Sequence, residues 1–120
     1  YLTHSKASWV HLYLEKIEGY LWLSVQTDPV SLDPEHIFFN GATLINFDSS
    51  ESAIWELPDL FEDCAVWGSF YPMHDTYTPA ETIDRLRSHH VSEGVIAKLM
   101  GNNIAKLLDL GDRQLAESVR

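Results

Sequence analysis

Cysteine is almost missing from this sequence: Cys64 is the only one in 120 residues. An intrachain disulfide is therefore excluded, and so is a zinc site built on cysteine thiolates. Basic residues are also scarce, 8 against 18 acidic ones, for a formal charge of −10. A chain this acidic offers no basic surface for nucleic-acid phosphates or for an anionic membrane. No apolar run reaches membrane-spanning length, and no signal peptide is visible. These absences lead to the expectation of a cytoplasmic protein. The first residue is Tyr1 rather than Met, so the native start is expected upstream.

What is present suits a packed core. Hydrophobic residues make up 45% and aromatics 12%, too much apolar side chain for a disordered chain. From Ser8 to about Val25, Val10, Tyr13, Leu14, Ile17, Tyr20 and Leu21 recur at helical spacing, and Thr27-Asp28-Pro29 ends the pattern. Asp33-Pro34-Glu35 opens a short helix that closes at Asn40-Gly41. Ala42–Phe47 reads as a buried strand, Ser49–Glu62 as mainly helical with a break at Pro58, and Cys64–Gly68 as a second buried strand. After a polar, aromatic loop, Thr78-Pro79-Ala80-Glu81 forms a capping box with proline at the first helical position, the strongest local signal in the chain. That helix runs to about Ser88. Two more follow, Ser92–Met100 and Asn102–Leu110, with Gly101 and Gly111 as terminators.

The fold class is therefore α/β, with Tyr1–His4 as the end of a further strand. Two or three buried parallel strands cannot cover both faces of a sheet or hide its edges, so the pattern reads as a segment of a larger sheet or barrel. Trp9, Trp22, Trp55 and Trp67, with Phe38, Phe39, Phe47 and Phe61, are expected mainly in the core. Some of this apolar surface is expected to meet a partner. Cys64 reads as a small core residue, since no base stands beside it. His89-His90 suits a helix C-terminus, and His11 and His36 read as surface or partner contacts.

The stretch Val66–Asp75, V-W-G-S-F-Y-P-M-H-D, resembles the last-strand motif W-G-S-D-Y-P-H-x-D of the amidohydrolase-related family, whose members include aminocarboxymuconate-semialdehyde decarboxylase. Ser8-Trp9 with Leu14-Glu15-Lys16-Ile17 is similar to the helix after the family's sixth strand. Leu44–Asp48 is similar to its seventh strand, Leu57-Pro58 to the "L-P" of the next helix, and Leu99–Leu107 to its closing "I-L-G-x-N-A-A-R-L" helix. The order and spacing of these pieces cover nearly the whole chain to Leu110.

The resemblance implies that residues 1–120 are the C-terminal part of a (β/α)8 TIM barrel, from the end of strand six to the closing helices. A missing N-terminal segment or a partner subunit in an oligomer would complete it. It implies a metal-dependent hydrolase or decarboxylase acting on a small molecule, with a divalent ion, often zinc, and with its site at the C-terminal ends of the strands. On that basis His4, Ser69, Phe70, Tyr71, His74 and Asp75 are candidate pocket residues. The departures bear on the metal. Phe70 stands where the family has an Asp, and a phenyl ring cannot bind a hard cation or accept a proton. Met73 replaces a His. Ser5 and Lys6 replace the glycines of a "S-E-G-G" or "H-G-G" turn. None of the six histidines forms an H-x-H pair. No metal ligand is therefore assigned to this chain, and the ion is expected to be absent or held by other segments. The alternative is a non-catalytic accessory or stabilising subunit with a degenerate metal site.

Overall fold

A computed structural model describes residues 1–24, 43–74 and 76–110. Helix α1 spans Trp9–Ser24, in agreement with the apolar spacing. Its buried stripe is narrower than expected, with Val10 and Leu14 buried and Ile17 and Leu21 half-buried. Tyr13 and Tyr20, assigned to the same face, are 46% and 69% exposed, and Trp22 is 69% exposed. Periodicity identifies the apolar residues of a helix, but the neighbours within reach decide which are covered. α1 carries more apolar side chain than the described residues cover. The short helix expected at Asp33–Asn40 lies outside the described residues, as do His36, Phe38, Phe39 and Gly111.

Strand β1 (Ile45–Phe47) and strand β2 (Ala65–Trp67) pair in parallel, with Asn46 opposite Val66. Leu2 makes a parallel bridge to Ile45 on the other edge of β1, fixed by Leu2 N–H to Leu44 O (2.7 Å) and Asn46 N–H to Leu2 O (2.9 Å). Three parallel segments thus lie side by side in chain order, Leu2, β1 and β2. Every residue of β1 is buried, the pattern of a parallel strand covered on both faces.

Between the strands, the expected helix is two four-residue helices, α2 (Ala53–Glu56) and α3 (Pro58–Phe61). Pro58 does not kink one helix. It occupies the first turn of the second, where its missing N–H costs nothing. Helix α4 (Pro79–Ser88) opens with the expected capping box: Glu81 N–H donates to Thr78 Oγ1, and Glu81 Oε2 accepts from Thr78 N–H at 2.8 Å. These Thr78 hydrogen bonds hold the Glu81 carboxyl below the usual carboxylate range.

Gly101 does not terminate a helix. Helix α5 (Glu93–Ala97) runs into a π-helical segment, Lys98–Asn102, and on into α6 (Asn103–Leu107). The π segment absorbs the register change without a break. It delivers Asn103, whose Nδ2 donates to the carbonyls of Glu62 (2.8 Å) and Ala65 (2.9 Å). Lys98 adds ion pairs to Glu62 and Asp63. Both interactions fasten the closing helices to the start of β2. The core collects Ile45 and Phe47 of β1, Ile54, Phe61, Leu86 and Leu99 of the helices, and Cys64 beside β2, all 0–2% exposed. Each large side chain there contributes about 1.5–3 kcal/mol on burial.

Candidate functional site

The parallel segments end together, and the residues that follow them meet in one cleft. Lys6 follows the Leu2 bridge, Asp48 and Ser49 follow β1, and Gly68, Ser69 and Phe70 follow β2; Met73 and Tyr77 complete the wall. Sites of α/β folds form at this end, because the strand termini bring loops of distant sequence together.

The cleft contains an ion pair. Lys6 Nζ lies 2.8 Å from Asp48 Oδ2. Partial burial of Asp48 would push its carboxyl up. Hydrogen bonds from Lys6 and from the Ser50 hydroxyl and N–H more than offset this, and the pKa ends below the usual value. Beside the pair runs a directional chain of hydrogen bonds. The Trp67 indole N–H donates to Ser49 Oγ (3.0 Å), Ser49 meets Thr82 Oγ1 (2.5 Å), and Thr82 donates to the Thr78 carbonyl (2.9 Å). Because the Thr82 proton goes to Thr78, Ser49 is the donor to Thr82. This relay joins both strand exits to the N-terminus of α4.

The backbone in and beside the cleft is strained at three positions. His4, Lys6 and Phe70 have φ of 55°, 57° and 56°, a region costing a non-glycine residue about 1–2 kcal/mol. Lys6 takes a glycine-type conformation where the family resemblance expects a glycine. At Gly68 a Cβ would fall 2.2 Å from Asn46 Nδ2, so the Asn46 side chain occupies the space that a side chain at position 68 would need.

The sequence candidates divide. Ser69 and Phe70 line the cleft, and His4 packs edge-on against Phe70, with centroids 5.1 Å apart at 75°. Tyr71 is 81% exposed, His74 is also exposed, and neither lines the cleft. The Tyr71-Pro72 bond is cis. Asp75 lies outside the described residues. Lys6, Asp48, Ser49, Met73 and Tyr77 were not singled out as pocket residues. Lys6 and Asp48 carried no pattern of their own; the position of each just beyond a strand end was the available signal.

The volume of the cleft, about 100 Å³, limits its chemistry. A site that encloses a metabolite needs about 300 Å³ or more, so these residues by themselves do not enclose one. Among the described residues no three His, Cys, Asp or Glu side chains converge on a common point. The donors at the strand ends do not fit a divalent ion: Lys6 neutralises Asp48, Phe70 offers only a phenyl ring, and the His4 ring is packed on it. Cys64 is buried away from this chemistry. Burial, and secondarily Asp63, pushes its thiol up to about 12.

Among the described residues no helix is long and apolar enough to cross a membrane. No family model, curated protein or solved structure matches the chain.

Proposed function

We propose that this chain is the closing segment of an amidohydrolase-like (β/α)8 barrel and that its cleft forms one wall of a small-molecule pocket, completed by an N-terminal segment or a partner subunit. The observation that carries this reading is the run of three parallel segments in chain order with their exits gathered in a single cleft. Sequential neighbouring parallel strands with helical crossovers are the repeating unit of that barrel. Two further features support it: the glycine-type turn at Lys6 and the apolar surface left exposed on α1, including Leu12, Tyr20, Trp22 and Leu23.

In this reading the assembly is a hydrolase or decarboxylase, and this segment contributes pocket wall and charge rather than metal ligands. An acidic substrate would compete with Asp48 for the Lys6 ammonium. Ser69 offers a hydroxyl, and Phe70, Met73 and Tyr77 exclude water. The experiment is to isolate the native particle, identify every polypeptide in it, and assay bound metal and turnover of small acids and lactones. A companion segment carrying an H-x-H pair, with turnover lost in Lys6→Met, supports the enzyme. A particle without such a segment removes it.

A second reading, an accessory subunit that stabilises an active barrel, is favoured by the His4–Phe70 contact, which fills the acid position with packed rings. Phe70→Asp tests it. A gain of bound metal or activity in that variant contradicts the accessory role, and no gain of either supports it.

A further inference from the structure

Next to the cleft, and sharing Tyr77 with it, α2, α4 and the loop before α4 build a stack of rings around one cation. The Arg85 guanidinium lies over the Trp55 ring and over the Tyr77 ring, 5.4 Å from each centroid. Trp55 in turn stacks on His89, with centroids 4.4 Å apart and planes at 11°. Contact with two aromatic rings holds a guanidinium in place, but leaves its N–H groups, which lie in its own plane, to be satisfied at the edge.

Among the described residues nothing satisfies them. Arg85 makes no ion pair and its guanidinium donates no hydrogen bond there. The neighbouring acids on α4 are engaged elsewhere: Glu81, four residues earlier, turns back to Thr78, and Asp84 faces Arg87. The contrast with Arg87 is informative. Two residues further along the same helix, Arg87 closes a two-pronged pair with Glu93, Nε to Oε1 at 2.7 Å and Nη2 to Oε2 at 2.9 Å. In a chain of 18 acidic residues, Arg85 is immobilised by rings without a carboxylate of its own.

We propose that Arg85, held over Trp55 and Tyr77, anchors a carboxylate-binding site between α2 and α4. In-plane donors hold an oxyanion through two parallel N–H···O bonds. The ligand is a carboxylate rather than a phosphate because a net charge of −10 repels a dianion more than a monoanion. The carboxylate has two sources, a free small acid or an Asp or Glu side chain of a second polypeptide. The proposal does not depend on the barrel reading, since Trp55, Tyr77, Arg85 and His89 make the stack within this chain.

The test is arginine modification by phenylglyoxal in the purified native particle, read residue by residue by mass spectrometry, with Arg87 as internal reference. Saturable protection of Arg85 by acetate, slowing its modification at least tenfold beyond chloride at equal ionic strength, assigns a free acid. Protection present without acetate and released by high salt, together with faster modification of Arg85, assigns a side chain of a second polypeptide. Arg85 reacting freely and responding to acetate no more than to chloride overturns the proposal. Stronger protection by inorganic phosphate than by acetate also overturns it.

Discussion

Glu51 holds Ser8: its Oε1 accepts both the N–H and the hydroxyl of Ser8, each at 2.8 Å, and the Ala7 N–H at the same distance, while Oε2 accepts the Asp48 N–H at 2.9 Å. A single buried carboxylate thus joins the start of α1 to the exit of β1 and fixes the separation of Lys6 and Asp48. Removing it leaves the Ala7 and Ser8 N–H groups unsatisfied, at about 1–3 kcal/mol each. Glu51→Ala is expected to lower unfolding stability by about 3 kcal/mol, measured by urea denaturation. A loss below about 0.5 kcal/mol would show that water replaces the carboxylate at no cost.

Gly68 and Asn46 form a second such contact. Gly68→Ala places a methyl group where Asn46 Nδ2 stands, and that nitrogen donates to Val66 O at 3.2 Å. The substitution is expected to cost about 2 kcal/mol. Shortening the neighbour in Asn46→Ala/Gly68→Ala makes room, so the double-mutant cycle is expected to show at least about 1 kcal/mol of coupling. Additive losses would mean that the two residues do not compete for space.

The Lys6–Asp48 pair sets a pH dependence. The folded-state pKa of Asp48 lies below its ordinary value. Its contribution to stability is therefore present above the unfolded carboxylate value of about 4 and is lost as pH falls through the lowered folded value. Lys6→Met removes the first of the partners that offset the burial of Asp48, leaving those from Ser50, and is expected to flatten this acid limb. Urea midpoints measured from pH 6 downward in wild type and variant check it. Parallel curves would remove Lys6 as the cause.

The Cys64 thiol, pushed up to about 12, is almost wholly protonated near neutrality, with a thiolate fraction of ~10⁻⁴ at pH 8. Iodoacetamide is expected to label it slowly in the folded chain and quickly in urea. Because the folded pKa is raised, the stability linked to this group is intact below its unfolded value and declines as pH rises from there toward the folded value. Rapid native labelling would place Cys64 at an accessible site.

The parts of this fold legible in the sequence are those written in local chemistry. The Thr78–Glu81 box, the largely apolar run that ends in the strand Ile45–Phe47 and the breaks around Pro58 each act over a few residues, so their patterns survive without tertiary information. The π segment was hidden because Gly101 has the look of a terminator, whereas the register change it lies in is decided by Asn103 reaching the start of β2. Tyr13 and Tyr20 were misjudged because a helical face is buried only where something covers it. In the site, Ser69 and Phe70 were expected from the resemblance carried by the stretch Val66–Asp75. Lys6 and Asp48 were not, since their meeting depends on strand pairing and on Glu51, neither of which is encoded at either position.

The barrel account depends on the open edges of the Leu2–β1–β2 group finding further strands. Sedimentation velocity of the isolated 120-residue chain, with amide hydrogen exchange read at Ile45–Phe47 and Ala65–Trp67, tests this directly. The account predicts that the chain alone self-associates or leaves these strand amides weakly protected, and that they become protected when the companion segment is added. A folded monomer with the mass of one chain and full protection at both strands would contradict it.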